Sequence, residues 1–249
     1  MTPEEFTCVA EKLKGHTKHL YFHLMGEPLT HPELGSFLQI AADMGYNCCI
    51  TTNGFLIEKC AETLLSAEGL YKLSVSLHSF EANKSAIPLN EYLEKVWAVC
   101  EKLAQKGTIC VLRLWNEGGA DACNREIHDF LESKVGSEWS VTRTGSRRLS
   151  RNLYLENAAK FEWPDIDAPE YDVQFCHGLR DQIAVLCDGT VVPCCLDAEG
   201  EIKLGNIFEQ SLDDVLASPR AKAIYEGFSN RRPSEELCRK CGYATRFNK

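Results

Sequence analysis

Cys176, Cys194, Cys238 and Cys241 are the residues whose type and spacing point most directly to chemistry. Cys238 and Cys241 form a CxxC pair, whose two-residue spacer lets both sulfurs face one centre. Seventeen residues separate Cys176 from Cys194. That stretch contains Asp188-Gly189, a strong hairpin signal, and a hairpin returns its end to its start. Four thiolates placed this way suit either a zinc ion or a cubane iron–sulfur cluster. Unrelated structural thiols are the plain alternative. Cys187 and Cys195 read as packing neighbours, because strand alternation would point Cys195 away from Cys194.

A second set lies near the other end of the chain, at Met25-Gly26-Glu27-Pro28. Glycine after a strand allows close backbone approach to a ligand, and Glu27 offers a carboxylate to an ammonium group. An ordinary turn would use the same residues. His78 could accept a proton at a strand end, although a structural histidine is the plainer reading. Arg143, Arg147, Arg148 and Arg151 form a basic patch around Gly145. It reads as a solvated loop or as a clamp for an anionic substrate or partner.

These residues need elements to position them. Thr2-Pro3-Glu4-Glu5 predicts a helix start, with Thr2 as N-cap and Glu5 closing a capping box, and the helix runs to about Lys14. Lys18 to Met25 predicts a strand, and Pro32 to Gly45 a helix. The unit then repeats. Strands are expected over Tyr46–Thr52, Tyr71–His78 and Thr108–Trp115. Helices are expected from Gly54 through Leu65, over Leu89–Gln105 and over Arg125–Lys134. Such alternation implies βαβ units and a parallel sheet, with polar groups at the strand ends where sites form. The rhythm breaks from about Ser137. A linker follows near Trp163 to Glu170, then the hairpin of Asp181–Leu186 and Thr190–Pro193. Two short helices come next, near Ser211–Ala217 and Pro219–Phe228.

With 249 residues, 44% hydrophobic and 25% charged, the chain suits one large α/β domain or a medium domain with an appendage. No apolar run approaches the roughly 20 residues of a membrane span, and the N-terminus lacks the blocks of a secretory signal. Cytoplasm is the expected compartment. There, thirteen cysteines argue against a disulfide framework. Cys8, Cys48, Cys49, Cys60, Cys100, Cys110 and Cys123 read as small buried hydrophobes. The net charge of −9 disfavours nonspecific nucleic-acid binding.

Taken together, the segments resemble the radical S-adenosylmethionine (radical SAM) enzymes. Met25-Gly26-Glu27-Pro28 looks like the family's GGEP motif with methionine in the first position. Thr52-Asn53-Gly54 and Ser74-Val75-Ser76-Leu77-His78 are similar to its following strands. Cys176, Gly189 with Cys194 five residues on, and Leu204 to Ile207 resemble its SPASM or "twitch" extension. The resemblance implies an incomplete parallel (β/α) barrel of the TIM-barrel type over residues 1–168 and a small α+β iron–sulfur domain over 169–249.

It further implies that Gly26, Glu27 and Pro28 hold the amino group of S-adenosylmethionine, and that Asn53, Ser76 and Arg113 contact its carboxylate and ribose. Cys176, Cys194, Cys238 and Cys241 would hold one auxiliary 4Fe–4S cluster. Cofactor cleavage would yield a 5′-deoxyadenosyl radical that abstracts hydrogen from a peptide or small-molecule substrate. A reductant such as flavodoxin or ferredoxin would supply the electron, with no membrane or nucleic-acid partner. One departure stands out. The family's CxxxCxxC loop, which holds the catalytic cluster, is not in this sequence. N-terminal truncation is the expected cause, and the chain as written is expected to be inactive. A zinc-stabilised, non-catalytic binding or scaffold protein is the alternative.

Overall fold

Thr2 starts the first helix as its side chain demands. Its hydroxyl accepts from the Glu5 amide at 3.2 Å, and the Glu5 carboxylate accepts from the Thr2 amide at 2.7 Å, closing a capping box around α1 (Pro3–Lys12). The computed structural model describes residues 1–83 and 87–248. By contacts the chain divides into two units. One is Thr17–Lys160; the other joins Met1–His16 to Phe161–Lys249. A division at 168/169 assigns α1 to the barrel segment, whereas its contacts are with the C-terminal part. Lys12 shows why: its ammonium donates to the carbonyls of Ile207 at 2.5 Å and Gln210 at 3.1 Å.

The first unit alternates as its periodicity requires. It runs β1 (His19–Phe22), α2 (Leu34–Asp43), β2 (Asn47–Thr52), α3 (Ala61–Ser66), β3 (Leu70–Ser76), α4 (Ser79–Ala82), α5 (Leu89–Lys106), β4 (Ile109–Glu117) and α6 (Asn124–Val135). β5 (Ser140–Val141), β6 (Arg147–Ser150) and β7 (Leu153–Ala159) follow. The sheet order is β1-β2-β3-β4-β7-β6-β5; β1 to β4 and β7 are parallel, while β5, β6 and β7 pair antiparallel. One sheet face carries the buried residues Leu20, Ile50, Leu73, Val75, Leu112 and Leu155. α2 and α5 pack on the sheet with Phe37, Leu38, Ala41, Val96, Cys100 and Leu103 buried. Each large apolar side chain so buried contributes about 1.5–3 kcal/mol. β1 is a sheet edge, with Tyr21 63% exposed.

Two expectations change. The helix foreseen from Gly54 shrinks to α3, because Gly54 takes φ +81° and the Phe55 amide bonds back to Asn53 Oδ1 at 3.0 Å, so the chain turns before it coils. After α6 the rhythm does not end; it is interrupted by the β5–β6 hairpin and resumes with β7, the fifth parallel strand. Its two inward leucines are too short a pattern to announce a strand.

The second unit holds a three-stranded antiparallel sheet of β8 (Ala184–Val185), β9 (Thr190–Val192) and β10 (Gly205–Asn206), in the order β10-β9-β8. Gly189 makes the expected turn at φ +83°. α7 (Leu212–Leu216) and α8 (Pro219–Ser229) follow, N-capped by Ser211 and Ser218, and then α9 (Glu236–Arg239). Among the described residues no helix is long and apolar enough to cross a membrane.

Candidate functional site

At the C-terminal ends of β1, β2 and β3 the polar groups form a continuous network. Glu27 Oε1 accepts from the Leu29 amide at 3.1 Å and from Thr52 Oγ1 at 2.6 Å; Oε2 accepts from the Asn53 amide at 2.7 Å. The carboxylate therefore clamps the turn after β1 to the end of β2. An ionised carboxylate has about four acceptor positions. Three are taken, leaving one on Oε2 for an N–H of a ligand. Gly26 beside it adopts φ +79°, with open space where a Cβ would stand, so the backbone there can be approached closely. Pro28 opens a single 3₁₀ turn, Pro28–Thr30.

The Asn53 carbonyl accepts from Tyr92 Oη at 2.7 Å and from Ser79 Oγ at 3.4 Å, while Ser79 Oγ also lies 2.6 Å from the Ser76 carbonyl. Tyr92 was legible only as a core residue of α5, and its functional contact has no local signal. The nearest clue is Gly54, where a Cβ would stand 2.9 Å from Tyr92 Oη. Burial pushes the Tyr92 phenol up, keeping it a neutral donor. Gly26, Glu27, Pro28 and Asn53 are thus brought together, and Ser76 joins through Ser79.

Arg113 pairs in register with Ser76 on one side and Glu156 on the other. Its Nη1 is 3.4 Å from Thr51 Oγ1, its Nε is 3.7 Å from Glu156 Oε2, and its guanidinium lies 4.5 Å from the Trp115 ring centre. His78 Nδ1 sits 3.1 Å from the Arg113 carbonyl and 3.3 Å from the Trp115 amide, bracing the end of β3 against β4. The four basic-patch arginines are exposed on and beside the β5–β6 hairpin.

In the second unit, Cys194 follows β9, Cys238 lies in α9 and Cys241 caps the last 3₁₀ turn, Gly242–Phe247. Cys176 Sγ accepts from the Gly178 amide at 3.4 Å, and a Cβ on Gly178 would stand 3.5 Å from Cys194 Cβ. The thiols share one electrostatic neighbourhood. Cys238 feels Cys194, Cys176 and Cys241, and Cys194 feels Cys176 and Cys241. Burial is the largest influence on all four and pushes their pKa up, that of Cys194 to about 12. Among the described residues no three His, Cys, Asp or Glu side chains close around a single ion. Thiolates are the soft donors that an iron–sulfur group takes.

The reason for setting Cys195 aside does not hold. β9 ends at Val192, so Cys195 lies in a turn, beyond strand alternation, and its thiol feels Cys176. Asp197, only 2% exposed, pins that turn by accepting from the Glu201 and Ile202 amides at 2.8 and 2.9 Å. Sequence reading passed over it. β10 lies within the Leu204–Ile207 run and pairs with β9, and Asn206 Nδ2 donates to the Asp188 carbonyl at 2.9 Å, buttressing the hairpin.

Comparison with known proteins bears on both sites. Residues 1–130, just over half of the chain, match the family model described as the radical SAM superfamily, and residues 176–242 match SPASM, an iron–sulfur cluster-binding domain. A probable GTP 3′,8-cyclase of Methanococcus vannielii is 40% identical over 202 residues, 69% of this chain and 66% of that protein. The match thus spans about two thirds of the relative's length. Two solved structures share the fold. BtrN in complex with AdoMet and 2-DOIA is 16% identical, covering 97% of this chain and 80% of that one at a TM-score of 0.53. Streptococcus suis SuiB bound to S-adenosylmethionine is 17% identical, covering 97% and 64% at a TM-score of 0.57.

Proposed function

This chain belongs to the radical SAM superfamily and carries a C-terminal iron–sulfur cluster-binding domain, and from that premise we propose that it serves hydrogen abstraction initiated by reductive cleavage of S-adenosylmethionine. The two domains imply 4Fe–4S clusters and S-adenosylmethionine as cofactors. When bound, these groups supply the one-electron chemistry.

The observation that carries the reading is the Glu27 clamp with its remaining acceptor position. Oε2 receives one N–H of the cofactor's ammonium group, and the Gly26 backbone permits its approach. Asn53, Ser76 and Arg113 face its ribose and carboxylate from the neighbouring strands. In the second domain, Cys176, Cys194, Cys238 and Cys241 hold the auxiliary cluster, and the Gly178 N–H on Cys176 Sγ favours the thiolate. The site for the catalytic cluster is a different matter. No CxxxCxxC spacing occurs among the 249 residues, so no reductive step is built from them. The proposed activity is that of the protein with that cysteine triplet supplied.

Two measurements test the proposal. Anaerobically purified chain should carry about four irons with iron–sulfur absorbance, lost in Cys194→Ala and Cys238→Ala. Colourless protein with stoichiometric zinc would overturn the cluster assignment and favour a zinc-stabilised scaffold. Calorimetry with S-adenosylmethionine, on protein restored with the cysteine triplet, should show weaker binding for Glu27→Ala; equal affinity would count against the clamp as a cofactor contact.

A further inference from the structure

Among the described residues three other than glycine adopt a left-handed backbone: Asn152 at φ +60°, Leu179 at +61° and Arg231 at +57°. An L-residue crowds its Cβ against a carbonyl oxygen there, and asparagine tolerates this best. Asn152 is of that tolerant type and lies in the turn between β6 and β7. Arg231 closes α8 in a Schellman motif: its amide donates to the Phe228 carbonyl at 3.2 Å and the Arg232 amide to that of Gly227 at 2.8 Å. Neither account covers Leu179. It ends no helix, its side chain offers no hydrogen bond, and it stands three residues after Cys176.

Its hydrogen bonds show what the strained conformation achieves. The Leu179 amide donates to the carbonyls of Gln182 and Pro193, both at 2.8 Å. The first bond closes the turn on itself. The second ties the turn that carries Cys176 to the residue immediately before Cys194. Gly178 lies against the same Pro193 carbonyl oxygen, 3.5 Å from where its Cβ would stand. The rest of the turn is fastened as well. The His177 carbonyl accepts from the Arg180 and Asp181 amides at 3.1 and 2.9 Å, and the His177 ring pairs with the Asp181 carboxylate. Arg180 donates to Ser229 Oγ at 2.6 Å, with its guanidinium 4.4 Å from the Tyr225 ring centre. A left-handed leucine persists only where its surroundings over-determine it, and such residues gather at ligand clamps.

We propose that Leu179 is a positioning residue for the iron–sulfur site: its left-handed backbone turns the amide onto Pro193 and so holds Cys176 beside Cys194 before any cluster is bound. The inference rests on the cluster reading of the second domain and adds the device that pre-forms two of its four ligands. A loop already in its bound conformation leaves less ordering for cluster loading to supply, so the cluster is held longer. The determinant is the backbone conformation, not the apolar surface of leucine.

The test uses the whole 249-residue chain, reconstituted anaerobically, with iron loss to a ferrous chelator followed by absorbance. Leu179→Gly relieves the strain and should keep iron about threefold longer than the wild type. Leu179→Asn should match the wild type within about twofold, and Leu179→Val, branched at Cβ, should lose iron about tenfold faster. A role in side-chain packing predicts the opposite order, with Leu179→Val retaining iron and Leu179→Gly losing it. That order, or equal rates throughout, overturns the proposal. If Leu179→Val does not fold, Leu179→Gly decides alone: longer retention supports the proposal, and equal or shorter retention overturns it. A wild-type chain carrying zinc overturns the cluster reading only, and the same order of variants is then read from zinc release. A wild type that loads neither metal overturns both.

Discussion

Glu27 does two jobs with one carboxylate. Three of its acceptor positions tie the turn after β1 to the end of β2, and among the described residues one position on Oε2 is left without a donor. Glu27→Gln would set an amide N–H against one of its present donors. It should cost about 1–3 kcal/mol of stability by urea denaturation, in addition to any loss of cofactor affinity. Tyr92→Phe is subtler. It deletes the Oη bond to the Asn53 carbonyl and the contact with the Ser79 side chain, so a loss of about 1 kcal/mol with an unchanged circular dichroism spectrum is expected. His23 makes a prediction about pH. Burial and two cations hold it at about 4 against an ordinary value of 6.5, so between these values the unfolded chain binds a proton that the folded chain refuses. Stability should therefore fall as pH drops from about 6.5 to 4, by roughly 2–3 kcal/mol from this group. His23→Gln should flatten that part of the slope when urea midpoints at pH 7 and 4.5 are compared; an unaltered slope would place the titrating group elsewhere.

Among the elements, the β8–β9 hairpin governs the delivery of Cys194. Its turn depends on Gly189, which combines φ +83° with a Cβ position that would crowd Phe208 and stand 2.6 Å from Asn206 Oδ1. Gly189→Ala incurs both backbone strain and a clash, so a destabilisation of about 1–3 kcal/mol and poor iron retention are expected. α1 works differently. Lys12 gives its ammonium to carbonyls of the β10–α7 connection. Lys12→Met should lower the melting temperature of the second unit, resolved by its own probe, while the signal of the parallel sheet moves little. An equal shift in both would mean that α1 supports the whole chain. The α1 capping box and the Asp188-Gly189 turn were readable in advance, because each is written in residues within four positions of one another. The loss of the helix after Gly54 was not foreseen: the Phe55 amide donates to Asn53 Oδ1, and Tyr92, remote in sequence, donates to the Asn53 carbonyl.

For the whole molecule, the sequence by itself determined the alternation of strands and helices, the parallel character of the sheet and the spacing that singles out four cysteines. Periodicity, turn chemistry and ligand spacing are properties of neighbouring residues and survive in the unfolded chain. Only the tertiary structure decided that β7 rejoins the sheet beside β4 and that α1 associates with the C-terminal segment. It alone revealed that Cys195 lies outside a strand and that Lys72 and Arg113 share one face. Those facts depend on register and crossover between residues tens of positions apart, where a shift of one residue would turn each side chain to the opposite face. No local pattern encodes that choice; it is set by the burial of the aliphatic face against α2 and α5.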